Sequence, residues 1–87
     1  MTEQTIATRA ALEAIVLRFA PRDRATVPVT DSARLIDDLG IDSSRMIDVV
    51  LEVEDRFGIT VEDEAIQRIR TFGEMQALVA SLAGEDA

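Results

Sequence analysis

Eighty-seven residues, 47% of them hydrophobic, are enough for one small domain and exclude a two-domain enzyme with a cleft between its halves. Nine arginines against 17 acids leave a net charge of -8, which argues against a phosphate-neutralising surface and so against nucleic acid as a partner. The chain contains no Lys, His, Cys, Trp or Tyr, so disulfides, thiolate metal sites, thiol nucleophiles and most acid–base chemistry near neutral pH are excluded with them.

The opening stretch, Met1 to Ala10, is polar and lacks the apolar centre of a leader peptide, and no later run of about 18 apolar residues occurs. A cytoplasmic chain with no membrane insertion is expected. Thr8, Leu12, Ile15 and Phe19, widened by Ala11 and Val16, share one helical face and predict a first helix from about Thr5 to Phe19. Pro21 ends it, because a proline disfavours helical geometry in the residue before it and cannot continue the hydrogen-bond ladder.

From Ala20 to Ile41 no long periodicity survives, and two prolines and several turn formers predict a long loop. Residues 31–36 can form a single helical turn, and Leu35, Ile36 and Leu39 are expected to pin the loop to the core. Loops of this length inside a small domain are often functional, although a plain spacer fits as well. A second helix follows, with Asp42 as N-cap, Met46, Val50, Val53 and Phe57 as its core stripe, and Gly58 as its stop.

Glu62, Asp63 and Glu64 open a short third helix that closes near Ile69. Thr71 and Glu74 form a capping box before a last helix whose stripe is Phe72, Met75, Val79 and Leu82; it ends near Ala83, leaving a frayed tail from Gly84 to Ala87. The β-branched stretches 26–30 and 59–61 are too short and isolated to require strands. The expectation is an all-α fold: a four-helix bundle of three main helices and a short third one, forming a single domain over residues 1–87 with its ordered core at about 5–83.

The charge is concentrated. Residues 37–64 hold ten acids against Arg45 and Arg56, which equals the net charge of the whole chain. Projected at about 100° per residue, Arg45, Asp48, Glu52 and Asp55 lie opposite the core stripe of the second helix, while Ile47 and Leu51 fall on the flank, on the same side as Ser43. An apolar pair rimmed by carboxylates suits the docking of a basic partner; packing of the pair beneath the loop or the third helix is the alternative. Ser43, first in its helix, has its hydroxyl near free N–H groups and the positive end of the dipole, where a phosphate ester is stabilised. A simple capping role for Ser43 or Ser44 is the alternative. The acids do not follow the ligand spacing of a calcium-binding loop, and no metal site is expected.

The string Leu35-Ile36-Asp37-Asp38-Leu39-Gly40-Ile41-Asp42-Ser43, the acidic helix closing on Glu54-Asp55-Arg56-Phe57-Gly58-Ile59, and the segment Ile59-Thr60-Val61-Glu62-Asp63-Glu64 together resemble the acyl carrier protein family, without gaps from about Leu35 to Leu82. The resemblance implies a non-catalytic carrier with a 4'-phosphopantetheine arm on Ser43, attached by a phosphopantetheinyl transferase that recognises Asp42. It also implies acyl cargo held as a thioester on the arm's thiol, a group the cysteine-free chain cannot itself supply. Partners are then acyl-transferring, chain-elongating or tailoring enzymes with basic patches, acting in fatty acid, polyketide or specialised lipid synthesis and docking on Ser44, Arg45, Ile47, Asp48, Leu51, Glu52, Glu54 and Asp55 of a monomer. Two departures bear on partner choice: Ser44 replaces the family's usual Leu, and Arg45 stands where an acid is common. A peptidyl or aminoacyl carrier, a helical interaction module without the arm, and a small enzyme using Asp42 with Ser43 are the alternative readings.

Overall fold

The computed structural model describes residues 3–24 and 26–84. Four α-helices stand among them: α1 (Glu3–Phe19), α2 (Ser43–Phe57), α3 (Asp63–Arg68) and α4 (Phe72–Leu82). A single 3₁₀ turn, Arg22–Arg24, which periodicity did not disclose, follows Pro21. No strand forms among the described residues; an isolated antiparallel bridge joins Arg34 to Thr71. The all-helical expectation holds, with α1 beginning two residues before the expected Thr5 and α3 confined to six residues.

Close helix–helix packing pairs α1 with α2 and α1 with α4. The core between them is Leu12, Ile15 and Val16 of α1, Val49 and Val53 of α2, and Phe72, Met75 and Val79 of α4, closed by Leu35, Leu39 and Ile41 from the long loop. These side chains are almost wholly removed from water, and each contributes about 1.5–3 kcal/mol of transfer free energy. Burial corrects the expected stripes in three places. In α2 the deepest residues are Val49 and Val53, whereas Met46, Val50 and Phe57 are half-buried. The apolar arc of α2 is wide, and its deepest line is set by where α1 lies, which periodicity does not encode. Ile36 is 61% exposed, so Leu35 and Leu39, but not Ile36, pin the loop. Leu82 is 43% exposed because the core ends at Val79, one turn earlier.

The caps follow local chemistry. Thr71 accepts from the Glu74 N–H at 3.2 Å while the Glu74 carboxylate accepts from the Thr71 N–H at 2.9 Å, completing the capping box. The same carboxylate accepts the Arg70 N–H, and these two backbone donors, Arg70's first, hold Glu74 below the usual carboxylate range. Gly58 ends α2 in the left-handed region, its N–H returning to the Glu54 carbonyl. Gly84 closes a turn after α4, and the remainder of the expected frayed tail, residues 85–87, lies outside the described residues.

The long loop is stitched down by backbone hydrogen bonds. Leu35 donates to the Arg70 carbonyl at 3.0 Å, Phe72 to Ala33 at 2.9 Å and Gly73 to Asp31 at 2.9 Å, so the loop runs beside the α3–α4 corner. Its helical turn lies at residues 34–40, later than expected, with Gly40 donating to the Ile36 carbonyl. Arg9 of α1 fastens the same region. Its guanidinium donates to the Val29 carbonyl, Gln76 and Asp31, pairs with Glu13 and lies 5.0 Å from the Phe72 ring centre. The hydrogen bond to Asp31 raises the Arg9 pKa further above its ordinary value.

Candidate functional site

The loop delivers the chain to the start of α2 through Gly40 at φ 70° and fully buried Ile41, which is followed at once by exposed Asp42 and Ser43. Asp42 is the N-cap: its Oδ1 accepts from the Arg45 N–H at 2.9 Å and its Oδ2 from the Arg45 guanidinium at 3.1 Å. Capping is thus performed by a carboxylate, and neither Ser43 nor Ser44 is needed for it. Ser43 is the first residue of α2, exposed, at the end of the helix where unpaired N–H groups point outward.

Ser43 stands on the wall of a cleft of about 390 Å³ between α2, the end of the loop and α3. Ile36, Ile41, Met46, Ile47, Ile66 and Ile69 form its apolar lining, and Asp42, Ser43, Gln67 and Arg70 its polar edge. The loop and α3–α4 contributors, Ile36, Ile66, Gln67, Ile69 and Arg70, escaped sequence reasoning, because no spacing rule links them to a serine at position 43. The backbone bond from Leu35 to Arg70 brings them together.

Along α2, Ile47 and Leu51 are 62% and 58% exposed, so neither packs beneath the loop or α3. Ser44, Asp48 and Asp55 are exposed as well, and the five residues fall within about 100° of one helix face. The other three α2 residues read from the sequence have internal partners. Arg45 is tied to Asp42; Glu52 is turned toward α1, where Arg18 lies 3.5 Å away; half-buried Glu54 accepts the Val61 N–H at 2.8 Å and braces the α2–α3 connection. Among the described residues, no group of three or more His, Cys, Asp or Glu is placed to hold a metal ion and no helix is long and apolar enough to cross a membrane.

The fold and site define a helical protein that presents two exposed serines at a helix start, the first of them, Ser43, on a groove apolar on its walls and polar at its rim. Such a groove fits an arm with a phosphodiester at its root, amides along its length and hydrocarbon between them. The family model described as the phosphopantetheine attachment site matches residues 10–79. Similar curated proteins include an acyl carrier protein of Thermotoga maritima, 39% identical over 56 residues, and one of Rhodococcus erythropolis, 37% identical over 59 residues. A meromycolate extension acyl carrier protein of Mycolicibacterium aurum is 34% identical over 58 residues. The alignments cover 64%, 68% and 67% of this chain and span 69%, 65% and 60% of those relatives' own lengths. The chain belongs to the acyl carrier protein family, and its cofactor is a covalently attached 4'-phosphopantetheine.

Proposed function

We propose that Ser43 is the attachment residue and that the chain, as one domain, carries acyl groups on its arm between separate enzymes of fatty acid, polyketide or specialised lipid synthesis. The observation that carries this reading is the placement of Ser43: exposed, first in α2, capped through Asp42 and set on the wall of the apolar cleft. The thiol at the end of the arm supplies thioester chemistry. The chain's own residues bind and present the group, and the protein is a non-catalytic, cytoplasmic monomer. Both Asp42 oxygens are engaged by Arg45, so the neighbouring carboxylate is committed to structure and not to activating a serine nucleophile.

The exposed face of Ser44, Ile47, Asp48, Leu51 and Asp55 is the proposed surface for the transferase and the acyl-handling enzymes, with apolar contact from the two aliphatic residues and steering from the acids. Arg45 stands beside this face, and Glu52 and Glu54 add charge from its margins. The test is intact mass after incubation with a promiscuous phosphopantetheinyl transferase and coenzyme A. The wild type and Ser44→Ala are expected to gain one phosphopantetheinyl increment, and Ser43→Ala none. A gain by Ser43→Ala that is lost in Ser44→Ala would move the site; no gain by the wild type would leave a helical interaction module.

A further inference from the structure

Five arginines lie between residues 34 and 70, and Arg70 alone among them lines the cleft that holds Ser43. Arg34 is paired with Asp37 and Asp38, and Arg45 with Asp42. Arg56 lines a separate cleft against α1, and Arg68 faces the α3–α4 corner with Glu74. The Arg70 guanidinium donates, through Nη1, to the carbonyls of Gln67 and Ile69, and among the described residues no carboxylate stands within 4.0 Å of it, Glu74 interacting with its charge only at longer range. A guanidinium carries five N–H donors, so Nη2 and Nε remain for a further acceptor. Its backbone is fixed at both ends, the N–H on Glu74 at 2.8 Å and the carbonyl on the Leu35 N–H at 3.0 Å, which holds the root of the side chain in place at the cleft.

Loading Ser43 adds a permanent negative charge within a segment, residues 37–64, that already holds ten acids. A cation on the same cleft offsets that repulsion, and a guanidinium matches phosphate oxygens in shape as well as sign. We infer that Arg70 is the counter-cation of the phosphodiester formed at Ser43 and a positioning residue that holds the root of the arm against the α2–α3 cleft, with the Gln67 carboxamide available to an amide of the arm. The inference rests on Ser43 being the attachment residue.

The experiment compares melting temperatures of the apo and holo forms of the wild type, Arg70→Met and Arg70→Lys at low and high salt, each form verified by intact mass. The wild-type holo form is expected to melt above the apo form, with the gain shrinking as salt rises. Arg70→Met should abolish the gain and Arg70→Lys should retain the larger part of it. The Arg70 Nε–H resonance of the wild type should also move on conversion from apo to holo. Losing the donors to the Gln67 and Ile69 carbonyls weakens both forms of Arg70→Met alike, so the difference within each variant isolates the contact with the arm. If Arg70→Met does not fold, the Lys variant and the wild-type resonance decide. An unmoved resonance, an equal holo gain in Arg70→Met, or a wild-type holo form no more stable than apo, each with the mass increment present, overturns the role of Arg70 alone; absence of the increment overturns the attachment reading with it.

Discussion

Gly40 and Gly58 share a left-handed backbone, φ 70° and 65°, yet replacing them by alanine should have different consequences. An L-residue in that region costs about 1–2 kcal/mol over glycine, and both variants bear this cost. At Gly58 nothing lies within 4 Å of an added Cβ, so the conformational cost is the whole effect. At Gly40 the Cβ would meet Pro21 Cδ at 2.8 Å, Pro21 Cγ at 2.9 Å and Arg24 Cγ at 3.2 Å. A proline ring is rigid and cannot swing aside, so the 3₁₀ turn or the 34–40 turn has to move, adding about 1–3 kcal/mol of overpacking. The expected losses are about 1–2 kcal/mol for Gly58→Ala and about 2–5 kcal/mol for Gly40→Ala. In a domain of this size each kcal/mol lowers Tm by about 4–8 °C. Paired urea and thermal unfolding of the two variants measures the difference directly. Because Gly40 stands two residues before the Asp42 cap, Gly40→Ala should also slow the loading of Ser43, an effect Gly58→Ala should lack. Equal losses of stability in the two variants would refute the account, since only the contact with Pro21 and Arg24 separates them.

Arg9→Met should cost about 2–3 kcal/mol, because it removes charge-assisted hydrogen bonds that join α1 to the loop and α4, whereas Arg34→Met, whose carboxylate partners are solvent-exposed, should change stability by no more than about 0.5–1 kcal/mol in chemical denaturation. The lowered pKa of Glu74 contributes stability that is complete above the ordinary carboxylate range and is lost as pH falls through the depressed value; the stability difference between wild type and Glu74→Gln, followed from neutral to strongly acid solution, should therefore shrink toward acid. For the enzyme that loads Ser43, Asp48→Lys should slow association at low salt, with the deficit fading as salt rises, and Leu51→Ala should speed dissociation at every salt concentration; stopped-flow binding separates the two rates.

The helices were legible because their signals are local. Asp42, Gly58, Thr71 and Glu74 each satisfy backbone groups within four residues of themselves, so short stretches of sequence carry both the instruction and its reason. The position of Ser43 at the start of α2 was legible on the same terms, as the residue next to a cap. Burial was harder to read. The exposed Ile47 and Leu51 and the exposed Ile36 are all aliphatic residues in or near apolar patterns, and only the placement of α1 and α4 shows which aliphatic side chains lose contact with water.

Composition and local pattern alone determined that this is an acidic, all-helical chain without cysteine, whose second helix starts at Ser43 behind the Asp42 cap. Tertiary structure decided which residues share a cleft with that serine. The bonds from Leu35 to Arg70 and from Phe72 to Ala33 carry Ile36 to the cleft wall and set Arg70 on the cleft that Ser43 lines, and Arg9 ties α1 to Gln76 across most of the chain. Such contacts depend on chain closure over long separations, where each residue's local preference is silent and the winning arrangement is the one that buries Leu35, Leu39 and Ile41 while pairing the loop's backbone.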